Sequence, residues 1–253
     1  MAFLDVHWYS NVLSKQVAMY VVLPNVGKPP FPVFYLLHGR SDDHTIWLRR
    51  TRIEQYVRDL PLIVVMPDGF RGFYTDASHG PAYARYIGEE LPQFVERSFH
   101  ARTSGRARCI GGLSMGGYGA LRVALGYPGR YVSANSHSGS MMAGREPIDP
   151  VKDLERYQIF GRSPRNTNHD LVHLARRAKA ARKLLKLRID CGTEDFLLEQ
   201  NRAYRRELQK LGVKHEYAEY PGGHTWDYWD MHVKEALQFH CRALGIKTAT
   251  SSR

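Results

Sequence analysis

The sequence lacks the marks of membrane, secreted and metal-binding proteins. No stretch is apolar for long enough to span a membrane, and the segment Met1 to His7 lacks the basic and apolar regions of a signal peptide. The 3 cysteines, Cys109, Cys191 and Cys241, lie far apart and match no metal-ligand spacing. We therefore expect a cytoplasmic protein with buried thiols, without a metal site and without a membrane partner.

The sequence also has little that would recognise nucleic acid, although it is strongly basic. Its net charge of +11 and its pI of about 9.6 indicate affinity for polyanions or for an acidic substrate. The densest basic run, Arg176 to Lys183, contains no aromatic residue that could stack on bases. No helix-turn-helix, zinc-finger or RNA-binding signature is present. The run is typical of the solvated face of a surface helix, so we expect no nucleic-acid partner.

What the sequence does contain is an alternation of apolar runs and amphipathic segments. The 253 residues, 43% of them hydrophobic, suit a single α/β domain spanning 1–253. Strands alternate with helices through most of the chain, which predicts a mainly parallel sheet flanked by helices. The segments Phe3 to Ser10 and Gln16 to Leu23 predict an N-terminal antiparallel hairpin, with the turn-rich residues 25–30 closing it.

Other parts of the architecture follow from composition and helical spacing. Residues about 139–170, rich in Pro, Gly, Asp and Arg, predict a small cap insertion, and the polar tail, about 247–253, is expected to be disordered. The insertion is too short for a large hydrophobic lid, which argues against a lipase activated at interfaces. Apolar periodicity predicts helices at about 45–58, at 82–99 with a kink or break at Pro92, and at 229–244.

The most informative stretch is Gly112-Leu113-Ser114-Met115-Gly116, which fits the G-x-S-x-G pattern of a nucleophile elbow. A serine on a very tight strand-to-helix turn is held with its Oγ exposed. The residues two before and two after it must be small, because strand and helix nearly touch there. A strand-like segment precedes Ser114 and a helical one follows it, as the motif requires. The alternative is a glycine-rich turn with a structural serine.

An acid and a histidine follow Ser114 in the Ser…Asp…His chain order of α/β-hydrolases. We prefer Asp195 as the acid because it lies at the end of a glycine turn after a predicted strand. Asp190 is still within that strand, and Glu194 is one position off. In this assignment Ser114 attacks the acyl carbon, the histidine transfers the proton and Asp195 orients the imidazole.

Among the 12 histidines, His224 is preferred because two glycines precede it on the loop after the last strand. His137, His79 and His232 are weaker alternatives. The backbone N–H groups of Met115 and of the His38-Gly39-Arg40 turn are the expected oxyanion donors, and Arg40 is the preferred donor of that turn. Six residues are assigned to substrate binding: His38, Gly39, Trp47, Phe73, Tyr74 and Trp226.

At this point the chain resembles the esterase D-like "putative esterase" group of α/β-hydrolases. The resemblance is carried by Tyr35-Leu36-Leu37-His38-Gly39, Val65-Met66-Pro67-Asp68-Gly69, Gly112 to Gly117, Gly192-Thr193-Glu194-Asp195 and Pro221 to Trp226. It implies the α/β-hydrolase fold, the assigned triad and Met115 as an oxyanion donor. Small cytoplasmic tributyrin-type esterases are the most similar members, through residues 73–76 and 226–229. The S-formylglutathione hydrolase pattern has a serine where this chain has His38, which argues against formylglutathione as the substrate.

These observations predict a serine carboxylesterase that cleaves short-chain acyl esters through an acyl-enzyme, without a cofactor or a metal. Its expected partner is a small-molecule ester, and the sequence leaves the oligomeric state open, a homo-oligomer included. Carbohydrate acetyl or feruloyl ester cleavage, thioester hydrolysis and acyl transfer use the same triad and remain alternatives. A basic binding protein on an inert hydrolase scaffold is the alternative outside catalysis.

Overall fold

The computed structural model describes residues 1–247, so the predicted disordered tail lies, apart from Lys247, outside the described residues. The strands are β1 (Ala2–Ser10), β2 (Lys15–Leu23), β3 (Val33–Leu37), β4 (Ile63–Pro67), β5 (Arg108–Gly112), β6 (Ser133–His137), β7 (Lys186–Gly192) and β8 (Glu216–Tyr220). The α-helices are α1 (Ile46–Arg50), α2 (Ile53–Val57), α3 (Tyr83–Arg85), α4 (Leu91–Ser98), α5 (Met115–Gly126), α6 (Leu154–Phe160), α7 (Leu171–Ala180), α8 (Leu198–Lys210) and α9 (Trp226–Leu244).

All eight strands form one sheet in the order β1-β2-β4-β3-β5-β6-β7-β8. The first two strands run antiparallel to each other, and β2 is antiparallel to β4. The remaining pairs are parallel. The mostly parallel sheet and its N-terminal hairpin were both predicted from the sequence and are confirmed. Parallel strands place their carboxyl ends at one edge, and that edge is where a ligand site is expected.

Apolar side chains cover both faces of this sheet, as an all-buried central strand requires. Every residue of β3 and β4 is buried. On one face, the inward residues of α5 and α7 join the aliphatic residues of the strands in a single core. On the other face, α1, α2 and α9 supply the apolar side chains. That the whole chain forms a single domain stays a prediction.

The turn of the N-terminal hairpin differs from the predicted one. Residues 11–14 connect the two strands, whereas residues 25–30 lead onward to β3. The Ser10 hydroxyl accepts a hydrogen bond from the turn, and the Glu90 carboxylate accepts another from the backbone N–H of Asn11 at 2.7 Å. The turn is thus held by a carboxylate that is distant in sequence, which local turn chemistry does not reveal.

The helix predicted at 45–58 is wrong in its continuity, because two short helices, α1 and α2, replace it. The chain leaves the first helix at Thr51, whose backbone is extended. The backbone N–H of Arg52 donates to Asp230 Oδ1 at 2.7 Å, and its guanidinium contacts the same carboxylate. Asp230 lies on α9, so a tertiary contact takes the place of a helical hydrogen bond.

The predicted break at Pro92 takes the form of a π-helical turn, Tyr86–Glu90, which joins α3 to α4. Proline has no N–H to donate to the carbonyl four residues earlier. That carbonyl, of Gly88, accepts instead from Arg130 Nη1 at 3.0 Å. The helix therefore continues through Pro92 with one widened turn, and a side chain from another element satisfies the freed acceptor.

The last helix begins three residues earlier than predicted, at Trp226, because Thr225 caps it. The Thr225 hydroxyl accepts from the backbone N–H of Tyr228. Its side-chain oxygen thereby satisfies one of the helix's free N–H groups. This cap places His224 directly before the first turn of α9, at the end of the loop that leaves β8.

The central strand β6 is buried although four of its five residues are polar. His240 on α9 crosses over it, with Nδ1 2.8 Å from Ser133 Oγ and Nε2 2.8 Å from Asn135 Oδ1. Burial lowers the pKa of His240 to about 3, and charges on His137 and Arg188 act in the same direction. The imidazole is therefore neutral in the folded protein over a wide pH range.

We expect His240 to make the fold sensitive to acid. Its folded pKa lies below its unfolded value, so the unfolded chain binds a proton first as the pH falls, and stability is lost between about pH 6.5 and about pH 3. Between about pH 7 and about pH 4.5 the free energy of unfolding should fall by about 2–3 kcal/mol through this residue alone. Urea unfolding of wild type and His240→Gln at both pH values measures it. An equal loss in both proteins would contradict the assignment.

Candidate active site

The predicted elbow is present as a strained turn between β5 and α5. Ser114 has φ 54° and ψ −116°, a backbone conformation that non-glycine residues rarely adopt and that costs about 1–3 kcal/mol. A Cβ added at Gly112 would lie 2.7 Å from the backbone of Gly116, and one at Gly116 would lie 2.5 Å from the carbonyl oxygens of Leu37 and His38. Only glycine fits both positions, which is the reason given for the motif above.

The turn brings Ser114 to a histidine and an acid from two other loops. His224 Nε2 lies 3.0 Å from Ser114 Oγ, and His224 Nδ1 lies 2.9 Å from Asp195 Oδ2. A carboxylate can only accept, so Nδ1 donates to it and Nε2 is free to accept the serine proton. The three side chains thus form a connected chain of hydrogen bonds from a buried acid to a partly exposed hydroxyl.

The Asp195 carboxylate is buried but remains ionised because donors surround it. Burial would raise the pKa of Asp195, but hydrogen bonds from His224 and the Leu197 backbone, with the effect of the Ser138 hydroxyl, outweigh burial and lower it. The Leu197 N–H donates to Oδ1 at 2.8 Å, which leaves Oδ2 for the histidine. The carboxylate is therefore fixed in orientation as well as in charge.

The weaker acid candidates lie elsewhere. Asp190 is fully buried and accepts from His137 Nδ1 at 2.8 Å and from the Tyr228 hydroxyl at 3.1 Å. Glu194 is exposed, and only its backbone is engaged, with Gly222. Neither side chain hydrogen-bonds to His224.

The weaker histidine candidates are likewise not near Ser114 Oγ. His137 is buried against Asp190, and only its backbone carbonyl meets the elbow, by accepting from Ser114 N at 2.9 Å. His232 stacks on Tyr220 with ring centroids 4.2 Å apart. His79 is exposed and lies against a tyrosine of α6.

A second serine–histidine pair exists, Ser133 with His240, but it lies wholly inside the protein. Both residues have no exposed surface, and the partner of the other imidazole nitrogen is the amide of Asn135, which has no charge. A substrate cannot reach this pair. Of the two pairs, only the one containing Ser114 opens onto a cleft.

The two predicted oxyanion donors both border this cleft. Met115 is the first residue of α5, where backbone N–H groups have no acceptor within the helix and the helix dipole favours negative charge. In the facing turn, Gly39 N–H donates to Asp42 Oδ2 at 3.2 Å. The next N–H, that of Arg40, has no acceptor within residues 1–247. Both donors are therefore available to a ligand.

A helix of the insertion, α6, anchors the Arg40 turn. The sequence predicts the insertion but not this helix. Its Glu155 carboxylate hydrogen-bonds to the guanidinium of Arg40 and, at 2.6 and 2.9 Å, to that of Arg71. The Arg71 hydrogen bonds, with those of Arg40, lower the pKa of Glu155 to about 2. The carboxylate is therefore charged at any physiological pH, and the insertion is tied to the edge of the cleft.

The cleft has a volume of about 450 Å³, within the range of small-molecule sites. Of the six residues assigned to substrate binding, the structure brings Gly39, Phe73 and Trp226 to its wall. The other three lie behind it. The complete lining is Gly39, Arg40, Ser41, Asp42, Phe73, Leu113, Ser114, Met115, Ser140, Phe196, Leu197, His224, Trp226 and Trp229.

The prediction that His38, Trp47 and Tyr74 bind substrate is wrong, since each of these side chains is almost fully buried. The Trp47 indole donates to the Leu37 carbonyl at 3.0 Å, and the Tyr74 hydroxyl donates to the His38 carbonyl at 3.1 Å. His38 Nε2 accepts from Gly69 N at 2.9 Å. These polar contacts turn the three side chains inward, where they support the Arg40 turn instead of meeting a ligand.

Sequence reasoning missed several residues that the fold places at the site. Phe196 and Leu197 directly follow Asp195, and adjacency to the acid was the available signal. Ser138 follows β6 with φ 49°, and its hydroxyl accepts from Trp229 Nε1 at 3.3 Å. It also helps to lower the pKa of Asp195. Nothing local in the sequence marks Ser138, because its role depends on three elements meeting.

Within residues 1–247 no group of three or more His, Cys, Asp or Glu side chains is arranged to hold a metal ion. None of the helices in that range combines the length and the apolar character needed to cross a membrane.

Comparison with known sequences gives the family. The profile of the family described as "Putative esterase" matches residues 10–240. The chain belongs to this family. It is similar to an acetyl esterase of Caldicellulosiruptor saccharolyticus, with 29% identity over 94% of this chain and 98% of that protein. Esterase Rv1288 of Mycobacterium tuberculosis is 30% identical over 78% of this chain, which spans about half (49%) of that longer protein.

Comparison with solved structures gives the same result. The serine hydrolase FphF of Staphylococcus aureus, described as fluorophosphonate-binding, superimposes with a TM-score of 0.84 at 28% identity, over 94% of this chain and 97% of that one. An S-formylglutathione hydrolase (FrmB) of Staphylococcus aureus gives 0.83 at 29% identity, over 94% and 98%. The predicted α/β-hydrolase fold is confirmed, and the chain is a carboxylic ester hydrolase.

Proposed function

We propose that this esterase hydrolyses short-chain acyl esters with Ser114 as nucleophile, His224 as general base and acid, and Asp195 as the orienting acid. The observation that carries the proposal is a pair of hydrogen bonds: His224 Nδ1 donates to Asp195 Oδ2 at 2.9 Å, and His224 Nε2 accepts from Ser114 Oγ at 3.0 Å. Support also comes from the strained elbow, which keeps the hydroxyl at the surface of a cleft.

The reaction would proceed in two steps. Ser114 Oγ attacks the acyl carbon while His224 Nε2 takes its proton, and the carbonyl oxygen becomes an oxyanion facing the N–H groups of Met115 and Arg40. His224 then protonates the alcohol oxygen as the ester C–O bond breaks, which leaves an acyl-serine. Water attacks this intermediate with the same proton transfers in reverse order, and a carboxylic acid leaves.

Preference for short acyl chains is supported by the dimensions of the cleft. The insertion contributes a single 7-residue helix, and Phe73 packs edge-on against Phe160 of that helix, 5.1 Å between centroids. This aromatic contact limits the space beside Ser114. We expect kcat/KM for p-nitrophenyl esters to be highest for acetate or butyrate and to fall steadily towards palmitate. A maximum at the long chains would contradict the short-chain part of the proposal.

Covalent labelling tests the nucleophile directly. A fluorophosphonate phosphonylates an activated serine and expels fluoride. Trypsin releases Ser114 within the peptide Cys109–Arg122, which contains no other serine, whereas Ser133 and Ser138 fall in a different peptide. Mass spectrometry should find one phosphonyl group on Cys109–Arg122 and none after prior heat denaturation. A label on the Ser133 peptide, or none at all, would refute Ser114 as nucleophile.

We also propose a cytoplasmic location and a small-molecule ester as the only partner that the reaction needs. The three cysteines are free and buried, which suits a reducing compartment. We expect the basic face of α7 to be a solvated surface that binds no nucleic acid. Cell fractionation tests the location, and the absence of salt-resistant retention on a nucleic-acid column tests the partner.

A further inference from the structure

One large apolar side chain at the cleft is strongly exposed. Phe196 is 77% exposed, whereas its neighbours Asp195 and Leu197 are 5% and 6% exposed. A phenylalanine left in water forgoes the free energy that burial of its ring would give, so its position needs a reason. Its neighbours include two proposed catalytic residues, Asp195 and His224.

The backbone fixes this outward position. Asp195 N donates to Gly192 O at 3.2 Å, Leu197 N donates to the Asp195 carboxylate at 2.8 Å, and Leu198 N donates to Asp195 O at 3.0 Å. These hydrogen bonds fix the backbone on both sides of Phe196, and the side chain leaves the turn towards solvent. The exposed ring is a consequence of the same turn that holds the acid.

The ring lies directly against His224. The two ring centroids are 4.6 Å apart with an interplanar angle of 49°. Trp229 also contacts His224, at 4.8 Å and 89°, but it is buried and its indole is bound to Ser138. Both rings line the cleft, and Phe196 is the exposed one of the two.

The chemistry decides which part of an ester meets this surface. His224 must deliver its proton to the alcohol oxygen, so the alcohol leaves on the histidine side of Ser114. The acyl oxygen points to the opposite side, towards the N–H groups of Met115 and Arg40. The group attached to the alcohol oxygen therefore passes over Phe196.

We propose that Phe196 is a specificity-determining residue that stacks on the alcohol part of the substrate and favours esters whose alcohol carries a flat aromatic ring. This inference rests on the proposed function and adds the alcohol side to it. Offset stacking of two rings contributes about 0.5–1.5 kcal/mol beyond apolar burial, which is the size of effect an exposed platform can have.

The test compares two acetates whose alcohols are both primary, benzyl acetate and ethyl acetate. In Phe196→Ala, kcat/KM for benzyl acetate should fall about tenfold, while that for ethyl acetate should change little. Phe196→Trp should retain the preference for benzyl acetate. Phe196→Leu, which keeps apolar bulk without a flat face, should lose most of it. Met231→Ala removes a comparably exposed apolar side chain from α9 and serves as the matched control.

The rate of deacylation distinguishes two roles for Phe196: a stacking surface for the substrate, or a residue that positions His224. All acetates form the same acetyl-enzyme, so its hydrolysis contains no alcohol contact. The steady state after a p-nitrophenyl acetate burst should be unchanged in Phe196→Ala. Equal losses on both acetates, or slowed deacylation, would overturn the proposal and make Phe196 a positioning residue. Ethyl acetate hydrolysis by the wild type tests the proposed function separately, because it does not depend on Phe196.

Discussion

Ser114→Ala is expected to lower kcat/KM for p-nitrophenyl butyrate by about 10⁴–10⁶-fold, because removing the nucleophile of a serine hydrolase removes the whole acyl-enzyme route. The strained turn at φ 54° is as demanding for alanine as for serine, so the elbow itself should survive. The free energy of unfolding should therefore change by only about 1 kcal/mol or less, the size of one partly exposed hydrogen bond.

The matched control for this variant is Ser133→Ala, which removes the hydroxyl of the other serine–histidine pair. It is expected to keep turnover near the wild-type value. It should also lower the stability by about 1–3 kcal/mol, because His240 Nδ1 loses its buried partner. The folded fraction of each variant is measured by thermal unfolding, and activities are expressed per mole of folded enzyme. Retained turnover in Ser114→Ala, or its loss in Ser133→Ala, would contradict the assignment.

Asp195→Asn is expected to lower kcat by about 10³–10⁴-fold, through the tautomer of the histidine and not through its position. The Leu197 N–H binds Oδ1 and should hold the amide oxygen there, so the amide NH₂ would face His224 Nδ1. An NH₂ group donates, which forces the imidazole proton onto Nε2. That nitrogen can then no longer accept the proton of Ser114.

The matched control for Asp195→Asn is Glu194→Gln, the same change at an exposed neighbouring acid. It should leave kcat and KM at wild-type values, because its side chain is exposed and does not hydrogen-bond to His224. In Asp195→Asn the KM should stay close to the wild-type value, since Asp195 itself is not in the cleft wall. Steady-state kinetics on p-nitrophenyl acetate measures both. A large loss of kcat in Glu194→Gln would assign the role of orienting acid to Glu194 instead of Asp195.

The glycine pattern around Ser114 illustrates what can be inferred from sequence about a site. Tight approach of strand and helix is a local demand, so Gly112 and Gly116 mark the turn without any knowledge of the fold. The succession of strands and helices along the chain also follows from apolar runs. Because a mainly parallel sheet places the carboxyl ends of its strands at one edge, Asp195 and His224 are expected at that edge. For that reason the residues proposed for catalysis could be named before the geometry was known.

The pocket assignments show the opposite case. Trp47 and Tyr74 are aromatic and follow strands, so composition alone placed them with Phe73 and Trp226. Their indole and hydroxyl groups donate to backbone carbonyls inside the protein, and those hydrogen bonds turn them away from the cleft. Phe196 faces the solvent for the same kind of reason, since the hydrogen bonds of its neighbours fix its direction.

By itself, the sequence determined the class of fold, the elbow and the family, because each depends on periodicity or on residue size within a short segment. The tertiary structure alone decided what form the helix breaks take, which side chains reach the cleft, and which of two serine–histidine pairs is accessible. Those outcomes depend on hydrogen bonds between residues far apart in the chain: Arg52 with Asp230, the freed Gly88 carbonyl with Arg130, and His240 with Ser133. A long-range partner leaves no local pattern, since its effect exists only once the chain has folded.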